Sequence, residues 1–139
     1  MAIFTCFALF LVSTYFEGAV VVCEGTSTDI QCPTGRSISI NSAFWGRADS
    51  QRCSRGLLAS QLTLRVWTSG VVEKLRSTCW GASKCHVTAD PMIFGDPRSA
   101  NDSTPLYLIA NFTCEGPCKV ILVSDSSVGT HYQTTQYRT

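Results

Sequence analysis

The segment Val22–Cys53, VCEGTSTDIQCPTGRSISINSAFWGRADSQRC, decides the fold. Cys23 and Cys32 enclose eight residues, and Cys53 follows after twenty more. Asp29–Cys32 reads as a short strand and Pro33-Thr34-Gly35 as a turn. From Arg36 to Asn41 the residues alternate, with Ile38 and Ile40 on one face and Ser37 and Ser39 on the other, the period of a half-buried strand. Gly46-Arg47-Ala48-Asp49 is expected to leave that strand as a loop reaching Cys53. Nothing in the segment has the makeup of a catalytic centre. It reads as a disulfide-framed module with one polar surface around Glu24 and Trp45.

Upstream, MAIFTCFALFLVSTYFEGA carries an apolar run from Ile3 to Val12, then small and polar residues. This reads as a secretory signal peptide over residues 1–19, cut near Ala19, because the run is too short to span a bilayer. The competing reading is a buried N-terminal element. No later stretch is long enough to cross a membrane, so the expected product is soluble and secreted. With 139 residues the chain has room for one domain with a modest core. A net charge of +1 gives no bulk field to attract nucleic acid or an anionic membrane.

Of the eight cysteines, Cys6 lies in the leader, leaving Cys23, Cys32, Cys53, Cys79, Cys85, Cys114 and Cys118. In a small secreted chain these form a disulfide framework. The odd count leaves one thiol that is either free or bonded to another chain. His86 follows Cys85, yet there are no paired Cys-x-x-Cys knuckles, so neither a metal site nor a cofactor is expected. Downstream, Gln61 to Trp67 alternates, and Val71 to Thr78 is the best helix, with Val71, Val72 and Leu75 at helical spacing. Cys79 and Cys85 flank a small loop. Met92-Ile93-Phe94 is an apolar triplet ended by a Gly-Asp-Pro turn, and Arg98 to Pro105 is a polar loop. Tyr107 to Cys114 alternates, with Leu108, Ala110, Phe112 and Cys114 inward and Asn111 and Thr113 outward. Lys119 to Val123 is a further strand, and the polar residues from Ser124 onward read as a mobile tail.

Five motifs stand in order: Cys23-Glu24-Gly25, Ala43-Phe44-Trp45-Gly46-Arg47, the Cys79/Cys85 pair, Phe94-Gly95-Asp96-Pro97, and Tyr107-Leu108 ahead of Cys114. The series resembles the sea-urchin-egg-lectin (SUEL) type of galactose- and rhamnose-binding lectin domain, also found at the N-terminus of latrophilins. The resemblance covers Val22 to Cys114. It implies a small α/β (α+β) fold of antiparallel strands with one or two short helices. The division of the chain is then a leader over 1–19, the lectin domain over 20–118, and a C-terminal strand and flexible tail over 119–139. It also implies the bridges Cys23–Cys53, Cys32–Cys114 and Cys79–Cys85. The family's remaining bridge joins a cysteine before the helix to one directly after Asp-Pro. Here Arg98 holds the second position and the first cysteine is missing too, so Cys118 is the surplus thiol, free or joining two chains as a homodimer.

The resemblance further implies a sugar site at Glu24, Asp96 and the aromatic position, here Trp45. Carboxylates accept from adjacent hydroxyls, and an aromatic face covers the apolar side of a sugar. The family's lysine position is Leu106 in this chain, and the loop from Pro97 to Tyr107 is longer than usual. Each residue also has a plainer role open to it. Glu24 can cap or pair with Arg47, Trp45 can sit in the core, and Asp96 can serve as a turn residue before Pro97. Asn101 and Asn111 open N-x-S/T sequons. The resulting expectation is a secreted lectin domain binding galactose- or rhamnose-like glycans or a cell-surface glycoprotein, with a partly altered site. The alternative is an extracellular adhesion module that has lost sugar binding. No Ser-His-Asp order and no carboxylate pair within one motif argues for an enzyme.

Overall fold

A computed structural model describes residues 2–4, 16–116, 118–122 and 131–135. Its elements in order are β1 (Ala2–Phe4), β2 (Phe16–Cys23), β3 (Ser27–Gln31), β4 (Ser37–Arg47), β5 (Val66–Trp67), α1 (Val71–Cys79), β6 (Lys84–Thr88), α2 (Pro91–Phe94), β7 (Tyr107–Glu115), β8 (Cys118–Leu122) and β9 (His131–Thr135). The strands form a four-stranded sheet of order β2-β7-β4-β5, a β3-β6 pair and a β1-β8-β9 sheet, with every pairing antiparallel.

Strand β7 is the spine of the larger sheet. Its alternation holds, with Leu108, Ala110, Phe112 and Cys114 buried and Asn111 exposed. Facing it, β4 buries Ile38 and Ile40 and then changes phase. The register slips between Ile40 and Ser42, so that Ile40 pairs with Phe112 but Ser42 with Asn111. A bulge of this kind turns every later side chain to the other face. Trp45 and Arg47 therefore point into the core, and the strand runs to Arg47 instead of opening into a loop at Gly46. Gly46 is obligatory there, because a Cβ would stand 2.1 Å from the Val66 carbonyl oxygen of β5.

Helix α1 buries Val71, Leu75 and Cys79, and Arg76 donates to the Ile40 carbonyl at the bulge. Helix α2 starts on Asp90, whose carboxylate accepts from the Met92 N–H, with Pro91 in the first turn. It ends at Gly95, φ 90°. Only Phe94 of the expected apolar triplet is buried; Met92 is 92% exposed.

Several expectations need correction. The small loop expected between Cys79 and Cys85 gives way at Lys84 to strand β6, which runs on to Thr88 because Ser27–Gln31 supplies a full ladder for it. Most of Gln61 to Trp67 is irregular: only Val66–Trp67 finds a partner in β4, and Leu62 is buried without a ladder. Strand β2 begins at Phe16, and Gly18 leaves room for the Phe112 ring, which a Cβ would meet at 2.5 Å. The C-terminal stretch read as a tail contains β9, paired with β8. Cys6 lies outside the described residues, as does the Cys118 side chain, so the thiol expectation rests there.

Three disulfides join the described residues: Cys23–Cys53, Cys32–Cys114 and Cys79–Cys85. They close sequence separations of 30, 82 and 6. On the chain-entropy argument the longest loop constrains the unfolded chain most, about 4.5 kcal/mol against about 2 for the shortest. Urea titrations should therefore rank Cys32→Ala/Cys114→Ala as more destabilising than Cys79→Ala/Cys85→Ala.

Beyond β4 the buried Arg47 organises the next loop. Its guanidinium donates to the carbonyls of Pro105, Asp49 and Cys53 and lies 5.2 Å from the Tyr107 ring centre. Burial works to raise the Asp49 pKa. The backbone N–H groups of Arg52 and Gln51, the Arg52 side chain and the Tyr107 hydroxyl outweigh it and hold the carboxyl far below its usual range. A depressed folded pKa gives stability that is complete above the unfolded value, about 3.9, and lost as pH falls through the folded one. The melting temperature should drop as pH falls below about 4, and Asp49→Asn should make that drop smaller while lowering stability at pH 7.

Candidate functional site

Glu24 and Asp96 come together at the end of the large sheet. Glu24 follows β2 directly, and its N–H donates to the Leu106 carbonyl at 2.9 Å, extending the β2–β7 ladder by one step. Gly25 N–H donates to the Ala89 carbonyl at 2.8 Å, which ties the turn to the start of α2. Asp96 follows Gly95, whose carbonyl accepts the Trp45 indole N–H at 2.7 Å. The Trp45 ring packs on Phe94 with centres 5.7 Å apart. The β4 bulge thus fixes Asp96 through Trp45.

Between the two carboxylates lies Arg98, with a side chain only 9% exposed. Its Nε donates to Asp96 Oδ1 at 2.8 Å, and Nη2 donates to Asp96 Oδ2 at 2.8 Å and to Glu24 Oε1 at 2.9 Å. Nη1 donates to Glu24 Oε2 at 3.1 Å and to the Thr104 carbonyl at 2.8 Å. A guanidinium has five N–H groups. All five are used here. Glu24 Oε2 also accepts the Leu106 N–H at 2.9 Å, and Asp96 Oδ1 accepts the Arg98 N–H at 3.0 Å. The loop is pinned further where Asp102 accepts from the Thr104 N–H.

The electrostatics follow from these contacts. The Arg98 side-chain hydrogen bond, together with its N–H and charge, outweighs burial and lowers the Asp96 pKa. In return Asp96 first, and then Glu24, raise the Arg98 pKa well above its usual value. Asp102 is lowered as well, chiefly by Thr104. The Glu24–Asp96–Arg98 trio carries one net negative charge. Arg55, held in the left-handed region at φ 51°, donates to the Glu24 carbonyl.

The structure unites two of the three expected site residues and sets the third behind them. Trp45 is fully buried, so no face of it is open to cover a sugar; its role is to hold the Phe94-Gly95 turn. Leu106 is buried too and offers only its backbone N–H. Glu24 does not pair with Arg47, whose guanidinium goes to three carbonyls; its partner is Arg98. The sequence reading treated Arg98 only as a missing cysteine. The signal that could have found it is a cation two residues after Asp96, in a loop lacking the expected lysine. Asn101 and Asn111 are both exposed, and Asn111 donates to the Ser42 hydroxyl. Among the described residues no cluster of His, Cys, Asp and Glu is arranged to hold a metal ion.

Residues 30–114 match the D-galactoside/L-rhamnose binding SUEL lectin domain, a match that includes Trp45 and Asp96 and begins after Glu24. The chain is 39% identical over 94 residues to the L-rhamnose-binding lectin ELEL-1 of Echinometra lucunter, covering 67% of this chain and 86% of that protein. It is 32% identical over 104 residues to the D-galactoside-specific lectin of Heliocidaris crassispina, covering 75% and 96% respectively. To the human protein eva-1 homolog C it is 29% identical over 113 residues, 80% of this chain but only a quarter of that longer protein. With this match, the three disulfides among the described residues and its antiparallel sheets, the chain belongs to the SUEL-type D-galactoside/L-rhamnose-binding lectin domain family.

Proposed function

We propose that the chain is a secreted lectin that binds galactose- or rhamnose-like glycans through outward-facing oxygens of Glu24 and Asp96. One observation carries this reading. Glu24 Oε1 and Asp96 Oδ2 both accept from the same nitrogen, Arg98 Nη2, at 2.9 and 2.8 Å. The two hydrogens of a planar guanidinium nitrogen diverge by about 120°, which sets the acceptors about 5 Å apart. Each of these oxygens accepts a single protein hydrogen bond and keeps a second lone pair. Two neighbouring hydroxyls of a sugar ring can donate across such a gap. The Asp96 side chain is 45% exposed and that of Glu24 is 16% exposed, so the opening lies on the Asp96 side.

This site differs from the one the resemblance implies, with Leu106 for lysine, a buried Trp45 and an internal arginine. Few contacts are left for a ligand, and a charge-assisted hydrogen bond contributes about 1.5–3 kcal/mol. Two such bonds support binding near the millimolar level, about 4 kcal/mol. A glycan on Asn101 would sit on the loop that Arg98 pins and partly screen the opening. A Cys118–Cys118 bridge would give the dimer that weak sites exploit.

The second reading, an extracellular protein-interaction module without sugar binding, is favoured by the saturation of Arg98, which leaves it no donor for a ligand. Titration of the deglycosylated protein with L-rhamnose and D-galactose, followed by NMR, separates the two. The expected result is a saturable shift at millimolar sugar that Glu24→Gln weakens at least tenfold. No shift with either sugar moves the function to protein recognition. Intact mass before and after deglycosylation checks Asn101 and Asn111.

A further inference from the structure

Arg98 stands out in this fold because it behaves as an internal ligand of the carboxylates. Its five N–H groups meet Glu24 Oε1 and Oε2, Asp96 Oδ1 and Oδ2, and the Thr104 carbonyl. The partner Glu24 is 74 residues away in sequence, so this contact closes the site as well as the loop. Resting on the glycan-binding reading above, we propose that Arg98 is the positioning and specificity-determining residue of the site: it holds both carboxylates in a fixed fork and leaves only acceptor oxygens, so the site takes neutral vicinal diols and rejects sugars that carry a carboxylate.

The chemistry follows from the charge and donor inventory. A fork of parallel N–H···O bonds fixes a carboxylate in direction as well as distance. With all five donors used, the guanidinium has none for an anionic group. The trio is net negative, Asp102 adds a further carboxylate in the same loop, and the lysine position is Leu106. Arg55 is directed at the Glu24 carbonyl. A uronic acid would therefore bring its charge against acceptors of the same sign. The remaining lone pairs suit hydrogen-bond donors such as hydroxyls and not a second carboxylate.

The test compares L-rhamnose, D-galactose and D-galacturonate on the intact chain and on Arg98→Lys and Arg98→Ala. Melting temperature and the Trp45 indole N–H resonance serve as checks that each variant folds. Wild type should bind the neutral sugars at least tenfold more tightly than galacturonate. Arg98→Lys keeps the charge but has a mobile ammonium able to turn a donor outward. It should narrow the neutral-to-acidic ratio at least threefold, a readout that a merely structural role would not move. Arg98→Ala should lose at least tenfold in neutral-sugar affinity. The binding it retains should weaken as pH falls through the carboxylate range, because removing Arg98 takes away the contact that holds Asp96 low and leaves Glu24 as a like-charged neighbour. Should Arg98→Ala not fold, the ratio measured on Arg98→Lys decides the matter. Variants with wild-type affinity and ratio would overturn the role of Arg98 and leave the lectin reading standing. A wild type that binds no neutral sugar overturns the lectin reading itself. Binding that appears only in Arg98→Ala overturns both, because the arginine would then be a plug.

Discussion

The bulge in β4 is the constraint on which the site depends. One extra residue at Asn41 exchanges the two faces of the strand after Ile40. Without it Trp45 and Arg47 would lie on the outer face and Phe44 would point inward. With it, Trp45 reaches the Gly95 carbonyl from inside the core, and Arg47 reaches Pro105 and the Cys53 loop. These two side chains fix both walls of the site, the Asp96 turn through Gly95 and the Leu106 backbone through Pro105. Helix α1 reinforces the bulge, since Arg76 donates to the Ile40 carbonyl. A backbone irregularity thus sets the position of two carboxylates that are distant from it in sequence.

Arg98 changes what kind of site this is. In the disulfide framework that the resemblance implies, a covalent bond secures the chain after Asp-Pro. Here a guanidinium does so from inside the pocket, with five hydrogen bonds in place of one bond between sulfurs. The exchange brings a charge with it. Two carboxylates so close together would otherwise repel, and one would be driven to take up a proton. Arg98 relieves that repulsion and holds Asp96 ionised. The same residue that closes the loop therefore places a cation between both carboxylates, as an anchor and not as a free donor.

How much of this was legible in the sequence varied with the range of the signal. The strand from Tyr107 to Cys114 was readable because its alternation is uninterrupted and one face is wholly buried. The helix at Val71 was readable for the same kind of reason. The family resemblance supplied the three bridges, which no spacing argument could have chosen among. The bulge was not legible, because Ile40-Asn41-Ser42 continues the pattern of the preceding residues. Strand β6 was hidden because Lys84–Thr88 has only Cys85 and Val87 facing inward, too few to show a period. Met92-Ile93-Phe94 is apolar throughout, yet the single helical turn capped at Asp90 and ended at Gly95 buries only Phe94. Arg98 was visible as a departure from the family, but its partners were not, because a contact across 74 residues leaves no local trace.

The energies decide between a sugar that displaces Arg98 and one that adds to it. Removing one partner from a buried ion pair costs about 3–5 kcal/mol. Partial exposure of Asp96 reduces that figure here, while the involvement of a second carboxylate increases it. A ligand bound at millimolar strength gains about 4 kcal/mol in all. Displacing the guanidinium would use up that gain before any new contact was made. A diol that donates to the free lone pairs leaves all five arginine bonds intact and solvates the remaining negative charge. For the lectin proposed above, these energies favour addition at the rim, with Arg98 staying in place beneath the sugar.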